Sequence, residues 1–230
     1  MSQHPAFPET TPLALIADGA AATVAAVAPR PGVVERVARL AVGLPLYGFG
    51  CALIVEANLG LDPWSVLSQG IARHTGIGMG WITVAVGALL LLAWIPLRQR
   101  PGIGTLANAV IVGTVMQVVL DTMPAPEGLP LRAVTFTAGL LSIAVASAVY
   151  IGARLGSGPR DGLMMGLNHR LGWPIWVART SVEGTVLVIG WMLGGSVGFG
   201  TLAFALLIGP AVHAAMTLEA RLLGRERGAH

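Results

Sequence analysis

The chain has 230 residues, of which 54% are hydrophobic and only 11% charged, against about 25% charged in an ordinary soluble domain, so the composition points to an all-α membrane protein. Its net charge of +3 does not signal nucleic acid, because the arginines lie scattered between apolar runs and gather on no basic, aromatic face. A single cysteine, Cys51, excludes an internal disulfide and gives no basis for a structural zinc site.

Residues 1–31 are rich in Pro and Ala, contain Asp18, and carry no arginine before Arg30. A secretory signal needs a positive segment ahead of its apolar core, so this stretch reads as a flexible tail, assigned to 1–35. Apolar runs near 37–57, 79–96, 104–121, 133–153, 174–193 and 200–218 approach the roughly 20 residues that a bilayer-crossing helix needs. They predict six transmembrane helices. Between them, 63–74 and 159–171 have helix-start chemistry but contain Arg73, His74, Arg160, Asp161, His169 and Arg170. At about 1.5 Å per residue such segments are too short to cross a hydrocarbon core of about 30 Å, and they read as half-helices, re-entrant or interfacial.

Six crossings with the N-terminus inside place Arg30, Arg36, Arg39, Arg98, Arg100, Arg154, Arg160, Arg221, Arg225 and Arg227 on one side. The loops "TMPAPEGLP" and "GGSVGFG" fall on the other with no basic residue, as the positive-inside rule expects of an exterior face. Eight crossings would put Arg98 and Arg100 outside, which is the weaker arrangement. Both termini are therefore expected in the cytoplasm.

An offset of 96 aligns residues 43–121 with 139–217 without a gap, giving 20 identities in 79 pairs. Leu59, Gly60, Pro63, Leu67, Gly70 and Gly76 fall on Leu155, Gly156, Pro159, Leu163, Gly166 and Gly172, and "GIGTLANA" falls on "GFGTLAFA". Each copy holds a span, a half-helix and two more spans. Three crossings is an odd number, so the copies are expected as two inverted-topology repeats, a plan common in secondary transporters. The first repeat is placed at 36–122 and the second at 132–218, with an exterior linker at 123–131 and a basic C-terminal tail at 219–230.

Pro63 and Pro159 suit the first position of a helix, and Asp62 and Gly158 the N-cap before it. The free N–H groups of a half-helix start favour an anion, so Asp62, Pro63, Ser65, Arg154, Gly158, Arg160 and Asp161 are candidate substrate-binding residues. Asn108, Gln117 and His213 join them as polar groups inside spans, where interhelical packing contacts are the ordinary role. Glu183 lies mid-span with Arg179 one turn earlier; they are candidates for coupling, together with Glu56, or else a self-neutralised pair and a solvated end residue. The two G-x-G-T-L-A runs open membrane helices rather than follow strands, so they read as tight turns with close helix packing and not as dinucleotide fingerprints. "GGSVG" matches G-x-S-x-G but has no strand before it. No catalytic constellation, metal site or cofactor is expected.

The duplicated L-G-x-x-P with its following Gly, the stretch "GSGPRDGLMMGL" and the G-x-G-T-L run together resemble the YczE/YyaS/YitT group of bacterial integral membrane proteins over about residues 36–218. In the first unit "LDPWS" stands where that pattern has "SGPRD". The resemblance implies a multi-pass protein of the bacterial inner membrane and carries no agreed activity. Two functions remain open. One is a secondary transporter or permease for a small solute, an anion being one candidate. The other is a non-transporting membrane partner or assembly factor for a cytoplasmic protein. The expected partners are the lipid bilayer, a small molecule or ion and, as an option, a second copy of the chain.

Overall fold

The computed structural model describes residues 32–222. They form eight α-helices and, among the described residues, no strand: α1 (Val33–Ala57), α2 (Pro63–Thr75), α3 (Met79–Leu97), α4 (Ile103–Thr122), α5 (Leu129–Gly152), α6 (Pro159–Leu171), α7 (Ile175–Met192) and α8 (Phe199–Leu222). The expectations for the two tails lie largely outside the described residues. Where they overlap, the structure corrects them: α1 begins at Val33 rather than after 35, α5 at Leu129 inside the expected linker, and α8 runs to Leu222. Apolar runs mark the lipid-facing length of a helix, and polar first and last turns carry it further.

Five helices, α1, α3, α4, α5 and α8, are long and apolar enough to cross a membrane, one fewer than the six expected. The sixth, α7, has only 18 residues and carries both Arg179 and Glu183.

The centre is an antiparallel pair, α1 against α5. Cβ positions built at Gly50 and Gly139 lie 2.9 and 2.8 Å from each other's carbonyl oxygens, and Gly43 meets Tyr150 N at 3.1 Å. The ends of this pair are tied reciprocally. Arg36, in the first turn of α1, donates to Ala153 O (2.9 Å) and Arg154 O (2.8 Å) at the end of α5. Arg132, in the first turn of α5, donates to Ala57 O (2.8 Å) and to Asn58 O at the end of α1. Helices end with unpaired carbonyls, and a guanidinium fork satisfies two of them at once.

The same offset of 96 holds along the backbone. Asn58 and Arg154 are both left-handed (φ 48° and 51°), Gly60 and Gly156 have φ 119° and 128°, and Gly76 and Gly172 have φ 71° and 67°. At Gly60 and Gly156 this geometry belongs to glycine, and the chain turns there from a long helix into a short one. Each turn is then gripped by the other half. Gly200 N donates to Leu59 O (2.8 Å), and Gly104 N donates to Leu155 O (3.0 Å). The G-x-G-T runs are the clasps, and their threonines also close their own first turns, Thr105 Oγ1 accepting from Gly102 N and Thr201 Oγ1 from Gly198 N, each at 3.2 Å.

The halves part company at one seam. In the first half α3 packs along α4, and the Cβ position at Gly113 lies 2.6 Å from Gly80 O, while that at Gly80 runs into Gly113 O. Gln117 Oε1 accepts from Gly80 N (2.8 Å) and its Nε2 donates to Asp121 (2.7 Å). The counterparts of Gly80 and Gly87 in the second half are Trp176 and Glu183. No side chain fits where two backbones touch, so α7 and α8 do not close: Gly209, the counterpart of Gly113, has no atom within 4 Å of its Cβ position, and Trp176 is 57% exposed.

Candidate functional site

The two short helices start close together in the interior. Asp62 caps α2 by accepting from Trp64 N and Ser65 N, both at 3.2 Å, and Pro63 is the first helical residue. Asp62 and Ser65 are buried. Gly158 caps α6 with no side-chain bond, Pro159 follows, and Asp161 Oδ2 lies 3.1 Å from the Cβ position of Gly158. A carboxylate thus stands at the start of each short helix, where the helix dipole favours negative charge.

Arg160 joins the two starts. Its Nη1 lies 3.5 Å from Asp62 Oδ1, and its guanidinium carbon sits 5.1 Å from the centre of the Trp64 ring, within the reach of a cation–π contact. Trp64 and Arg160 are 96 residues apart and are repeat counterparts. Tyr47 and Cys51, halfway along α1, lie within electrostatic range of Asp62 and Arg160, and Tyr47 also of Asp161. Glu183 on α7 is in range of the same Asp62–Arg160 pair.

The Arg160 side chain keeps 28% of its exposure and Tyr47 is half-buried. Beside Arg160, Trp64 is 4% exposed and its Nε1 is, among the described residues, the buried side-chain nitrogen or oxygen with no hydrogen-bond partner. An unmade bond of this kind costs about 1–3 kcal/mol. By contrast Trp94 Nε1, at the end of α3, donates to Pro159 O (3.0 Å), and its ring packs on Gly162, fixing α6 from the other side. Tyr150 OH donates to Gly156 O (3.0 Å) and steadies the second turn.

Of the residues singled out from the sequence, Asp62, Pro63, Ser65, Gly158, Arg160 and Asp161 gather here, with Glu183 beside them. Arg179 Nε lies 3.3 Å from Glu183 Oε1, one turn away on α7. Arg154 forms the left-handed end of α5, its carbonyl held by Arg36. Gln117 joins α3 to α4, the interhelical packing contact that is ordinary for a polar group inside a span. His213, its counterpart, is exposed on the open seam, Asn108 is half-buried on α4 and Glu56 half-buried in the last turn of α1. Trp64, Tyr47, Cys51 and Tyr150 were not anticipated. Trp64 was within reach, because the 96-residue offset sets it opposite Arg160, whereas the tyrosines are apolar-run residues with no local signal.

The family model described as a family of unknown function (DUF6198) matches residues 34–217. An uncharacterised protein of Haemophilus influenzae is 39% identical over 179 residues, covering 78% of this chain and 82% of its own length. The uncharacterised membrane protein YczE of Bacillus subtilis is 32% identical over 183 residues, 79% of this chain and 85% of its own. The uncharacterised protein YyaS of the same organism is 27% identical over 192 residues, 81% and 95% of the two chains. No solved structure matches.

Proposed function

The chain belongs to the DUF6198 family of unknown function, the group that includes YczE and YyaS, and is a membrane protein; from that premise we propose that it is a secondary transporter or permease for a small solute in the bacterial inner membrane. In this reading α7 crosses with the other five, the two halves are inverted repeats with both termini cytoplasmic, and the solute is held where the two short helices start. The observation that carries it is the meeting of the two helix starts at Arg160, Asp62 and Trp64. Interrupted helices meeting between inverted halves are where secondary transporters place their sites. Ionisable groups inside a membrane protein are costly and mark ion or substrate paths, which supports a coupling role for Glu183.

The test is flux. Purified protein in liposomes, offered a panel of small ions and metabolites under a proton gradient, should take up at least one of them saturably, and Arg160→Ala and Glu183→Gln should each abolish that uptake. Wild-type liposomes that move nothing across the panel would leave the alternative, a non-transporting partner of a cytoplasmic protein.

A further inference from the structure

We propose that the end of α6 and the loop after α3 form a docking site for the head group of an anionic phospholipid. The site lies at the opposite end of α6 from Arg160, and it stands whether or not the protein carries a solute.

Three arginines are brought together there by contacts between the two segments. Arg170, in the last turn of α6, donates from Nη2 to Pro96 O (3.0 Å) near the end of α3. One turn earlier the Cβ position of Gly166 lies 2.8 Å from Leu97 Cδ1 and 3.2 Å from Gln99 Cγ, so the end of α6 rests on the stretch that carries Arg98 and Arg100. Arg98 is the left-handed residue that closes α3 (φ 54°), and Arg100 follows two residues later. All three arginines are exposed, and among the described residues the side chains of Arg98 and Arg100 make no hydrogen bond or ion pair. No Asp or Glu occurs in residues 63–120 or 162–182, so neither segment supplies a carboxylate to neutralise them.

The other half of the chain makes the same joint and closes it. Under the offset of 96, Arg98 and Arg100 fall on Gly194 and Ser196, and at that end Arg73 of α2 spends its guanidinium on Gly194 O and Ser196 Oγ. One joint between a short helix and a loop is thus self-satisfied, and its counterpart keeps open cations. The surroundings of those cations select the anion. Leu171, Trp173 and Trp176 follow Arg170 directly and are all exposed. Indole rings beside basic groups suit the boundary between water and lipid, where the ring sits at head-group level and a guanidinium takes the phosphate through paired N–H bonds. A free phosphate would leave these apolar side chains in water, and an acidic polypeptide would have to displace lipid from them. In the six-crossing reading this end faces the cytoplasm, whose leaflet carries the anionic lipid.

Lipid selectivity tests the site. The full chain in neutral detergent is titrated with short-chain phosphatidylglycerol or with phosphatidylcholine of the same chains, and bound lipid is counted by native mass spectrometry. Phosphatidylglycerol should bind about thirtyfold more tightly, the pull of two surface guanidiniums on one head group. Arg98→Gln with Arg100→Gln removes both charges and should erase the preference, Arg100→Gln alone should lower it about fivefold, and Arg73→Gln at the other end should leave it intact. Thermal melts confirm that each variant folds. Equal binding of the two lipids, a preference that survives in the folded double and single variants, or one lost equally in Arg73→Gln would overturn the proposal. So would displacement of the lipid by equimolar glycerol 3-phosphate, which would make this a site for a soluble phosphate, or by equimolar polyglutamate, which would make it a surface for an acidic protein. None of these outcomes depends on solute flux.

Discussion

Gly113 and Gly209 hold the same place in the two halves but not the same surroundings. A methyl group at Gly113 meets Gly80 O and Val84 at 2.6 Å each, so Gly113→Ala should cost about 1–3 kcal/mol, as overpacking usually does. Gly209→Ala should stay within about 0.5 kcal/mol of the parent, since nothing lies within 4 Å. Thermal or denaturant unfolding in detergent separates the two, and equal losses would mean that α7 and α8 close in solution. Trp64→Phe makes a different comparison. It removes a buried donor that has no partner, but the smaller ring also leaves space and a weaker face toward Arg160, so the effects oppose and the melting temperature should change little. A large loss of stability would mean that the packing of the ring and its contact with Arg160 outweigh the unmade bond at Nε1.

At the scale of elements, the reciprocal arginines give a paired prediction. Arg36→Ala and Arg132→Ala each free two helix-terminal carbonyls at opposite ends of the α1–α5 pair, and each should cost about 1–2 kcal/mol. Because the two caps are far apart and share no partner, the double variant should lose the sum, read from denaturant midpoints. Strong non-additivity would show that the two ends open together. The helices themselves were legible from sequence, since apolar run length, Pro63, Pro159 and the following glycines mark most starts and stops to within a residue, while α1 and α5 start about four residues early and α8 ends about four late. Arg132 was not. The expected linker at 123–131 ends one residue short of it, and nothing local says that its side chain reaches back to the end of α1. The open seam was equally hidden, although the substitutions that cause it, Gly80 to Trp176 and Gly87 to Glu183, stand in plain view under the 96-residue offset. Their meaning depends on knowing that the two glycines are points of backbone contact.

For the whole molecule, the reading with six crossings makes Gln99 and Ala125 lie on opposite sides of the membrane. On a Cys51→Ser background, Gln99→Cys should react with an impermeant maleimide only from the cytoplasmic face and Ala125→Cys only from the other. Both reacting from one side would leave α4 short of a full crossing and remove the inverted arrangement. The pairing of the halves was visible as repeated punctuation, but the way they interlock was not, because the partners of a carbonyl cannot be read from its own neighbours. That interlock bears on how the protein is made. At the turn, the Leu59 carbonyl accepts from Gly200 N at the start of α8, so the bend of the first half is completed only when α8 has been delivered. A gene cut within codons 123–128 should therefore yield two fragments that are each degraded when made alone and that accumulate together when both are produced in one cell.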